Sequence, residues 1–160
     1  MRKDMDNWIV TEGSPFVIIE SAFAEQWDGA DNYNTVCSVQ DYLGIISMNN
    51  HTVLVLGDEP MAARIGKKDS EVLILRWKYA PSCEAVEDIL NGDMPVSLEP
   101  IEEIEAEFTT NEVVMFDSLY RVNEAPAKVS FTLPGKRCYI KTCNYKNEDV
   151  SLIVHIIQCL

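Results

Sequence analysis

The chain has 160 residues and a formal net charge of −13, from 26 acidic and 13 basic side chains. This length predicts one domain, residues 1–160. A hydrophobic content of 47% indicates a folded core. The negative charge excludes nonspecific nucleic-acid binding and attraction to an anionic membrane, since both surfaces would repel it. It favours a basic protein partner, although acidity can also serve solubility alone.

Basic residues are absent from two long stretches. Residues 4–63 contain ten carboxylates and no Lys or Arg, and residues 79–120 contain eleven carboxylates and again neither cation. No catalytic or metal-binding pattern accompanies these carboxylates. The sequence therefore indicates an acidic surface for recognition rather than an active site.

The first third of the chain predicts strands and one short helix. Trp8–Val10 is a short apolar segment, and the β-branched run 16–19 suits a strand buried on both faces. A helix is predicted over 21–28, because Ser can cap its start and Asp-Gly ends it. Residues 31–43 fit either a helix or a loop.

A hairpin is predicted next. Segments 45–48 and 52–56 flank Asn49-Asn50-His51, which tolerates the left-handed backbone of a tight turn. Residues 66–70 are predicted as a polar turn that leads into a central strand over 71–79.

Within that central strand the two faces are predicted to differ. The run Val72–Leu75 is apolar throughout and should be buried. Beyond it, Arg76 and Lys78 are predicted to point outward, on the face opposite to Trp77 and Tyr79.

The region after this strand predicts a second helix and a row of carboxylates. Ser82 is a suitable N-cap for a helix over 83–91. Further on, apolar side chains alternate with acidic ones, which favours a strand with one solvated face over the competing helix. The carboxylate ladder of this strand consists of Glu103, Glu105 and Glu107.

The remaining elements complete the predicted fold. The ladder strand should form a second hairpin with 113–116, and further strands are predicted over 128–133, 138–143 and 150–160. The total is about nine strands and two or three short helices. The predicted class is therefore α+β, a single domain with a predominantly antiparallel β-sheet. The expected core comprises Phe16, Ile18, Leu54, Leu73, Leu75, Trp77, Val86, Ile89, Phe116 and Ile153.

The five cysteines are odd in number, and no two form a C-x-x-C pair. The start of the chain is polar, and no apolar run reaches the roughly 18 residues of a membrane helix. We therefore expect a cytoplasmic protein with free, mostly buried thiols.

No pattern for catalysis or cofactor binding is present, so we expect no catalytic residue, no metal, no cofactor and no enzymatic activity. His51 and His155 are far apart, in a loop and in an apolar strand. Cys138 and Cys143 on one strand would point to opposite faces, unlike a zinc-ligand pair. A small carboxylate-dependent hydrolase, whose carboxylates would converge across a cleft, stays open as an alternative, as does a non-catalytic scaffold.

Three segments in consistent order resemble family 21 of the bacterial immunity proteins: V-Q-D-Y-L-G at 39–44, V-L-G-D-E-P at 55–60 and L-R-W-K-Y-A at 75–80. Segment 115–120 and the Leu-Pro-Gly turn at 133–135 support the resemblance. The family's motif residues fall here on Asp41, Tyr42, Gly44, Gly57, Asp58, Arg76 and Trp77.

The resemblance implies a largely β protein that binds a cognate polymorphic toxin domain and neutralises it by occlusion. It implies no catalytic residue. The chain departs from a typical member in a longer acidic region at 99–112 and in the sequence 136–138 after the glycine turn. From the charge we expect the toxin to present a basic face. The predicted partner-binding carboxylates are Asp58, Glu59, Glu103, Glu105 and Glu107.

Overall fold

The computed structural model describes residues 8–11, 13–57, 62–68, 70–91 and 100–159. Within these ranges the chain forms a six-stranded and a five-stranded sheet, both antiparallel, with a few short helices. The α+β class with predominantly antiparallel pairing is confirmed, although the strands divide between two sheets.

The strands are numbered in chain order. They are β1 (Trp8–Ile9), β2 (Phe16–Glu20), β3 (Gly44–Met48), β4 (His51–Leu56), β5 (Ala63–Lys68), β6 (Glu71–Tyr79), β7 (Pro100–Glu107), β8 (Glu112–Asp117), β9 (Lys128–Thr132), β10 (Arg137–Lys146) and β11 (Ser151–Cys159). The helices are α1 (Tyr33–Cys37), α2 (Cys83–Asn91) and 3-10 helices at Ser21–Gln26 and Gly29–Asn32. Sheet A has the order β1-β5-β6-β11-β10-β7, and sheet B has the order β3-β4-β2-β8-β9.

The two sheets pack face to face around the largest apolar cluster. Phe16 and Ile18 of β2 belong to this cluster together with Val72 and Ile74 of β6. Because side chains alternate along a strand, Val17 points to the opposite face of sheet B. The β-branched run 16–19 is thus buried on both sides, as the sequence predicts.

Helical segments cover the two outer faces. Trp27 directly follows the 3-10 helix Ser21–Gln26, and Val36 belongs to α1. Both side chains pack on the outer face of sheet B. On the outer face of sheet A, Val86 of α2 packs with Leu73 and Leu75 of β6. None of the described helices is long and apolar enough to cross a membrane.

The core prediction is largely confirmed. Eight of the ten predicted residues are buried, including Leu73, Phe116 and Ile153. Trp77 and Ile89 are only partly buried, because both lie at the margin of the cluster under α2.

The structure confirms the predicted turn between β3 and β4 and the predicted cap of α2, but not the predicted cap of the first helix. The β3–β4 turn uses left-handed backbone at Asn49 (φ 51°) and Asn50 (φ 68°), as predicted. Ser82 caps α2, since its Oγ accepts a hydrogen bond from the N–H of Ala85 at 3.2 Å. Ser21 provides no such cap; the segment predicted as a helix over 21–28 is a 3-10 helix with no side-chain cap bond.

Two predictions about connections were wrong. The supposed turn at 66–70 lies mostly within β5, which forms a hairpin with β6. The pairing runs from Ala63 opposite Arg76 to Lys68 opposite Glu71, and this cross-strand pairing overrides the local glycine and lysine signal. The supposed second hairpin joins β7 of sheet A to β8 of sheet B, so the chain crosses between the sheets instead.

Glu20 stabilises this crossing. Its carboxylate, 1% exposed, accepts hydrogen bonds from the hydroxyls of Thr109 and Thr110 and from the N–H of Thr110. Burial raises the pKa of Glu20, but these hydrogen bonds outweigh burial and hold the pKa below its usual value. A buried anion therefore anchors the turn between the two sheets.

The expectation of free thiols throughout was wrong. Cys138 and Cys159 form a disulfide, because antiparallel pairing of β10 with β11 places them directly opposite each other with 4.1 Å between their Cα atoms. Cys37, Cys83 and Cys143 are not part of this disulfide, and of these Cys37 is exposed. No spacing pattern among the five cysteines indicates this cross-strand bond.

Candidate functional site

The carboxylate ladder lies where the sequence predicts, on the solvated face of an edge strand. β7 is the last strand of sheet A, and Glu103, Glu105 and Glu107 are exposed on its outer face. Asp58 and Glu59, predicted to share the partner-binding role, lie outside the described residues. The structure therefore locates three of the five predicted carboxylates and brings those three together.

The neighbouring strand partly balances the charge of the ladder. β10 runs alongside β7, and its outer-face side chains stand directly across from the three glutamates. Two of the three are cations and the middle one is a tyrosine, so the middle carboxylate is the least compensated. The pairs are Glu103 with Lys141, Glu105 with Tyr139, and Glu107 with Arg137.

Tyr139 ties these two strands together through side chains. Its hydroxyl donates a hydrogen bond to the Glu103 carboxylate. That hydrogen bond raises the pKa of Tyr139, because it holds the phenol in its neutral form beside an anion. The Lys141 ammonium lies 5.7 Å from the centroid of the same ring.

A depression lies at one end of the ladder. Its volume is about 540 Å³, and Glu105, Ala106, Glu107 and Arg137 line it. Glycoside hydrolysis needs two carboxylates that face each other across a cleft. The two carboxylates here instead follow each other along one strand.

Arg76 does not point outward, and that prediction was wrong. Its side chain is 0% exposed and lies on the same face of β6 as Val72 and Ile74, between the two sheets. Side chains do alternate along the strand. Because Val72 to Leu75 are all apolar, however, the sequence does not show which of the two alternating sets lies between the sheets.

The buried guanidinium of Arg76 holds a loop. Its two terminal nitrogens donate to the carbonyl oxygens of Tyr42 and Gly57, each at 3.1 Å. The Tyr42 carbonyl also accepts the N–H of Gly57 at 3.0 Å. From the other side, the Glu102 carboxylate accepts the N–H groups of Tyr42 (2.9 Å) and Leu43 (3.2 Å). We call this set of contacts the Tyr42 clamp, formed by Arg76, Glu102 and Gly57 around the backbone of Tyr42.

Two glycines of the family motif make room for the same loop. A Cβ atom on Gly57 would lie 2.5 Å from the carbonyl oxygen of Asp41 and 2.8 Å from a methyl of Val39. A Cβ atom on Gly44 would lie 2.6 Å from that side chain of Val39. Any larger residue would push the loop away from the strands, so space explains both glycines.

The motif residues thus divide between several places. Tyr42, Gly57 and Arg76 meet at the Tyr42 clamp, while Gly44 and the exposed Asp41 lie beside it, in close contact with Val39 and Gly57 respectively. Trp77 lies on the opposite face of sheet A, with its ring centroid 5.2 Å from that of Trp8 in an edge-to-face arrangement. Asp58 is outside the described residues.

A buried polar row continues from the clamp across sheet A. Thr142 pairs with Glu102 on one side and with His155 on the other. The Thr142 hydroxyl and His155 Nδ1 are 2.8 Å apart, and both residues are almost fully buried. Burial, and then the nearby charge of Arg76, hold the pKa of His155 well below its usual value, so the imidazole is neutral.

This hydroxyl–imidazole pair resembles half of a nucleophilic site, but its setting is structural. A nucleophile must reach a substrate, and Thr142 is 1% exposed inside the sandwich. Cys138 and Cys143 belong to clusters on opposite faces of sheet A, as the sequence predicts. Among the described residues, no group of three or more potential ligands is placed to hold a metal.

Comparison of the sequence with known protein families gives a match. The model of the family described as immunity protein 21 matches residues 7–149, a range that includes all the strands from β1 to β10 and all motif residues. The chain belongs to the immunity protein 21 family. No curated protein and no solved structure matches this immunity protein 21 chain.

Sequence reasoning missed the role of Glu102 in this immunity protein 21 chain. Glu102 lies directly before the ladder, in phase with Ile104 and Ala106, whose side chains face the interior. This alternation could have predicted that Glu102 points inward while Glu103 points to solvent. Its partner is a backbone 60 positions away, which no local pattern identifies.

Proposed function

We propose that this protein binds a cognate polymorphic toxin domain and neutralises it by occlusion. Membership of the immunity protein 21 family carries the proposal. The supporting observations are a net charge of −13 and an exposed carboxylate ladder on a solvated strand face. A basic cleft on a toxin is the natural complement, because opposite charges accelerate encounter and reject wrong partners.

The proposed mechanism is steric cover rather than chemistry. The hydroxyl–imidazole pair is enclosed, and the carboxylates of β7 follow one another along a strand, so nothing on this face favours the hydrolase alternative. We propose the cytoplasm as the compartment of the encounter. The Cys138–Cys159 disulfide is unusual for that compartment, where thiols are ordinarily kept reduced.

The test uses the toxin domain encoded by the adjacent gene. Co-expression should rescue cells from that toxin, and the purified pair should form a stable complex. Raising salt from about 50 to about 500 mM should slow association sharply while dissociation changes less, since exposed charges mostly set the association rate. An adjacent gene without a toxin domain, or a toxin that kills despite this protein, would count against the proposal.

Two variants of equal charge test whether the carboxylate ladder itself accelerates association with the toxin. Changing Glu103, Glu105 and Glu107 to Gln should slow association roughly tenfold or more, because the carboxylates that steer encounter are lost. The control changes the exposed loop residues Glu124, Glu148 and Asp149 to their amides. Both variants alter net charge equally, so an equal effect would assign the steering to net charge and remove the ladder from the proposed interface.

A further inference from the structure

β7 offers a partner more than its carboxylates, because it is the longest free edge in the described structure. Sheets A and B end in four edge strands, β1, β7, β3 and β9. β7 has eight residues, whereas the others have two, five and five. An unpaired edge presents a row of backbone donors and acceptors that an added strand can complete.

The register identifies which residues carry these free groups. The N–H of Phe108 donates to the Lys136 carbonyl at 2.8 Å, so the backbone at position 108 faces β10. Antiparallel pairs alternate, so Ala106 and Ile104 also face β10 and the three residues of the ladder face away. The carbonyl of Glu107 agrees with this assignment, because it accepts the Thr52 hydroxyl of sheet B at 2.9 Å.

Glu103 and Glu105 therefore carry both the exposed carboxylates and the free backbone groups of the edge. Within the described residues, no hydrogen bond to the backbone of either glutamate occupies this outward edge. An incoming strand would meet these backbone groups and carboxylates at the same two positions.

We propose that the toxin docks by adding an extended basic segment to the edge of β7. Residues directly across a strand pair share one face, so Lys or Arg at alternate positions of that segment would meet Glu103, Glu105 and Glu107. The backbone hydrogen bonds supply affinity and the alternating cations supply specificity. This inference rests on the proposed function and names the surface and the binding mode that serve it.

Charge also selects a foreign strand over a second copy of this chain. Antiparallel pairing of two β7 strands would bring two carboxylate ladders together, and like charges directly opposite each other are destabilising. The same carboxylates that attract a basic strand therefore oppose edge-to-edge self-association.

Residue-resolved hydrogen exchange tests the inference directly. In the free protein the N–H groups of Glu103 and Glu105 should exchange fast, while those of Ile104 and Ala106 should exchange slowly, since only the latter bond to β10. Adding the toxin domain encoded by the adjacent gene should protect Glu103 and Glu105 by at least about tenfold. This two-residue period is a signature that a side-chain contact alone would not produce.

Two variants of Glu105 distinguish the contribution of its backbone N–H from that of its carboxylate. Glu105→Pro removes an N–H that faces the free edge, while Glu105→Ala removes the same carboxylate and keeps the N–H. Glu105→Pro should weaken toxin binding at least about tenfold more than Glu105→Ala. If the proline variant does not fold, the exchange experiment on the unaltered protein decides alone.

The outcomes are distinguishable. A complex that forms while Glu103 and Glu105 still exchange fast would overturn the edge-docking inference and leave the proposed function standing. Protection of these amides in the free protein, rising with its concentration, would mean self-pairing and would also overturn it. Failure of the toxin domain to bind at all would overturn both.

Discussion

At the scale of single residues, Arg76 decides how the family motif should be understood. It is a motif residue on the central strand, yet it is fully buried and donates to the carbonyls of Tyr42 and Gly57. A buried guanidinium facing backbone carbonyls organises the fold, because it satisfies one acceptor that is partly buried and one that is fully buried. At Arg76 the motif therefore marks a residue that organises the fold.

We expect Arg76→Ala to lower the free energy of unfolding by about 3–5 kcal/mol. The change leaves a cavity and removes two charge-assisted hydrogen bonds to buried carbonyls. Urea unfolding followed by circular dichroism measures it. The control is Lys78→Ala, which removes an exposed cation from the same strand and should change stability by about 0.5 kcal/mol or less. Equal midpoints for the two variants would contradict the clamp.

His155 gives the fold a dependence on pH. Its pKa in the folded state is held well below 6.5 by burial and by Arg76, whereas in the unfolded chain it titrates near 6.5. The unfolded state therefore binds a proton first as pH falls below about 6.5, and the folded state loses stability by up to about 1.4 kcal/mol per pH unit. Glu20 acts in a separate window, because its lowered pKa matters only below about 4.5.

The measurement compares unfolding free energies between pH 7 and pH 5. The unaltered protein should lose stability across this range, and His155→Gln should flatten the slope, since glutamine does not titrate. His51, partly buried with its ring stacked 3.6 Å from Phe23, is the matched control, and His51→Gln should keep most of the slope. A slope that survives in His155→Gln would show that another group is responsible.

At the scale of elements, the loop over 38–43 connects the helical layer to both sheets. It follows α1, and its Val39 lies close to Gly44 of β3 and to Gly57, the residue after β4. Hydrogen bonds join the loop to Arg76 and Glu102 of sheet A. The sequence left residues 31–43 open between helix and loop, and the structure has a helix at Tyr33–Cys37 followed by this loop. Only its long-range contacts decide the conformation, because an isolated segment of this length has little intrinsic preference.

The two glycines should tolerate alanine differently. In Gly57→Ala the new methyl meets the backbone carbonyl of Asp41, which cannot move without displacing the loop, so we expect a loss of at least about 2 kcal/mol. In Gly44→Ala the obstacle is the side chain of Val39 alone. Thermal or urea unfolding of the single variants measures this order.

A double variant checks the cause. Val39→Ala should recover most of the stability lost in Gly44→Ala but only part of that lost in Gly57→Ala, with a coupling of about 0.5 kcal/mol or more at Gly44. Purely additive effects at Gly44 would mean that the methyl–methyl contact is not what requires glycine there.

At the scale of the whole molecule, the two sheets share one core. Side chains of β2 and β4 from sheet B and of β6, β10 and β11 from sheet A belong to the same apolar cluster. Neither sheet can bury its inner face without the other, so we propose that they form one cooperative unit. This agrees with the single domain expected from chain length.

The tryptophans test this proposal, because they report on opposite layers. Trp27 lies against the outer face of sheet B, whereas Trp8 and Trp77 lie on the outer face of sheet A. Each of two variants, Trp27→Phe and the double change Trp8→Phe with Trp77→Phe, keeps reporters on one layer. In each variant, fluorescence and circular dichroism should give the same urea midpoint. A fluorescence transition that precedes the other signal would indicate that its layer unfolds independently.

The sequence by itself determined the elements whose signals are local. The alternation that exposes Glu105, the Asn49-Asn50 turn, the cap by Ser82 and the β-branched run of β2 all follow from periods and backbone preferences within a few residues. The family resemblance could be recognised for the same reason, since its motifs are short and in order.

The tertiary structure alone decided which surfaces face inward and which strands meet. It buried Arg76, turned Glu102 toward a loop 60 positions away, paired Cys138 with Cys159, and sent the chain after β7 into the other sheet. Each of these depends on partners distant in sequence, and a uniformly apolar strand gives no local sign of which face the second sheet will cover.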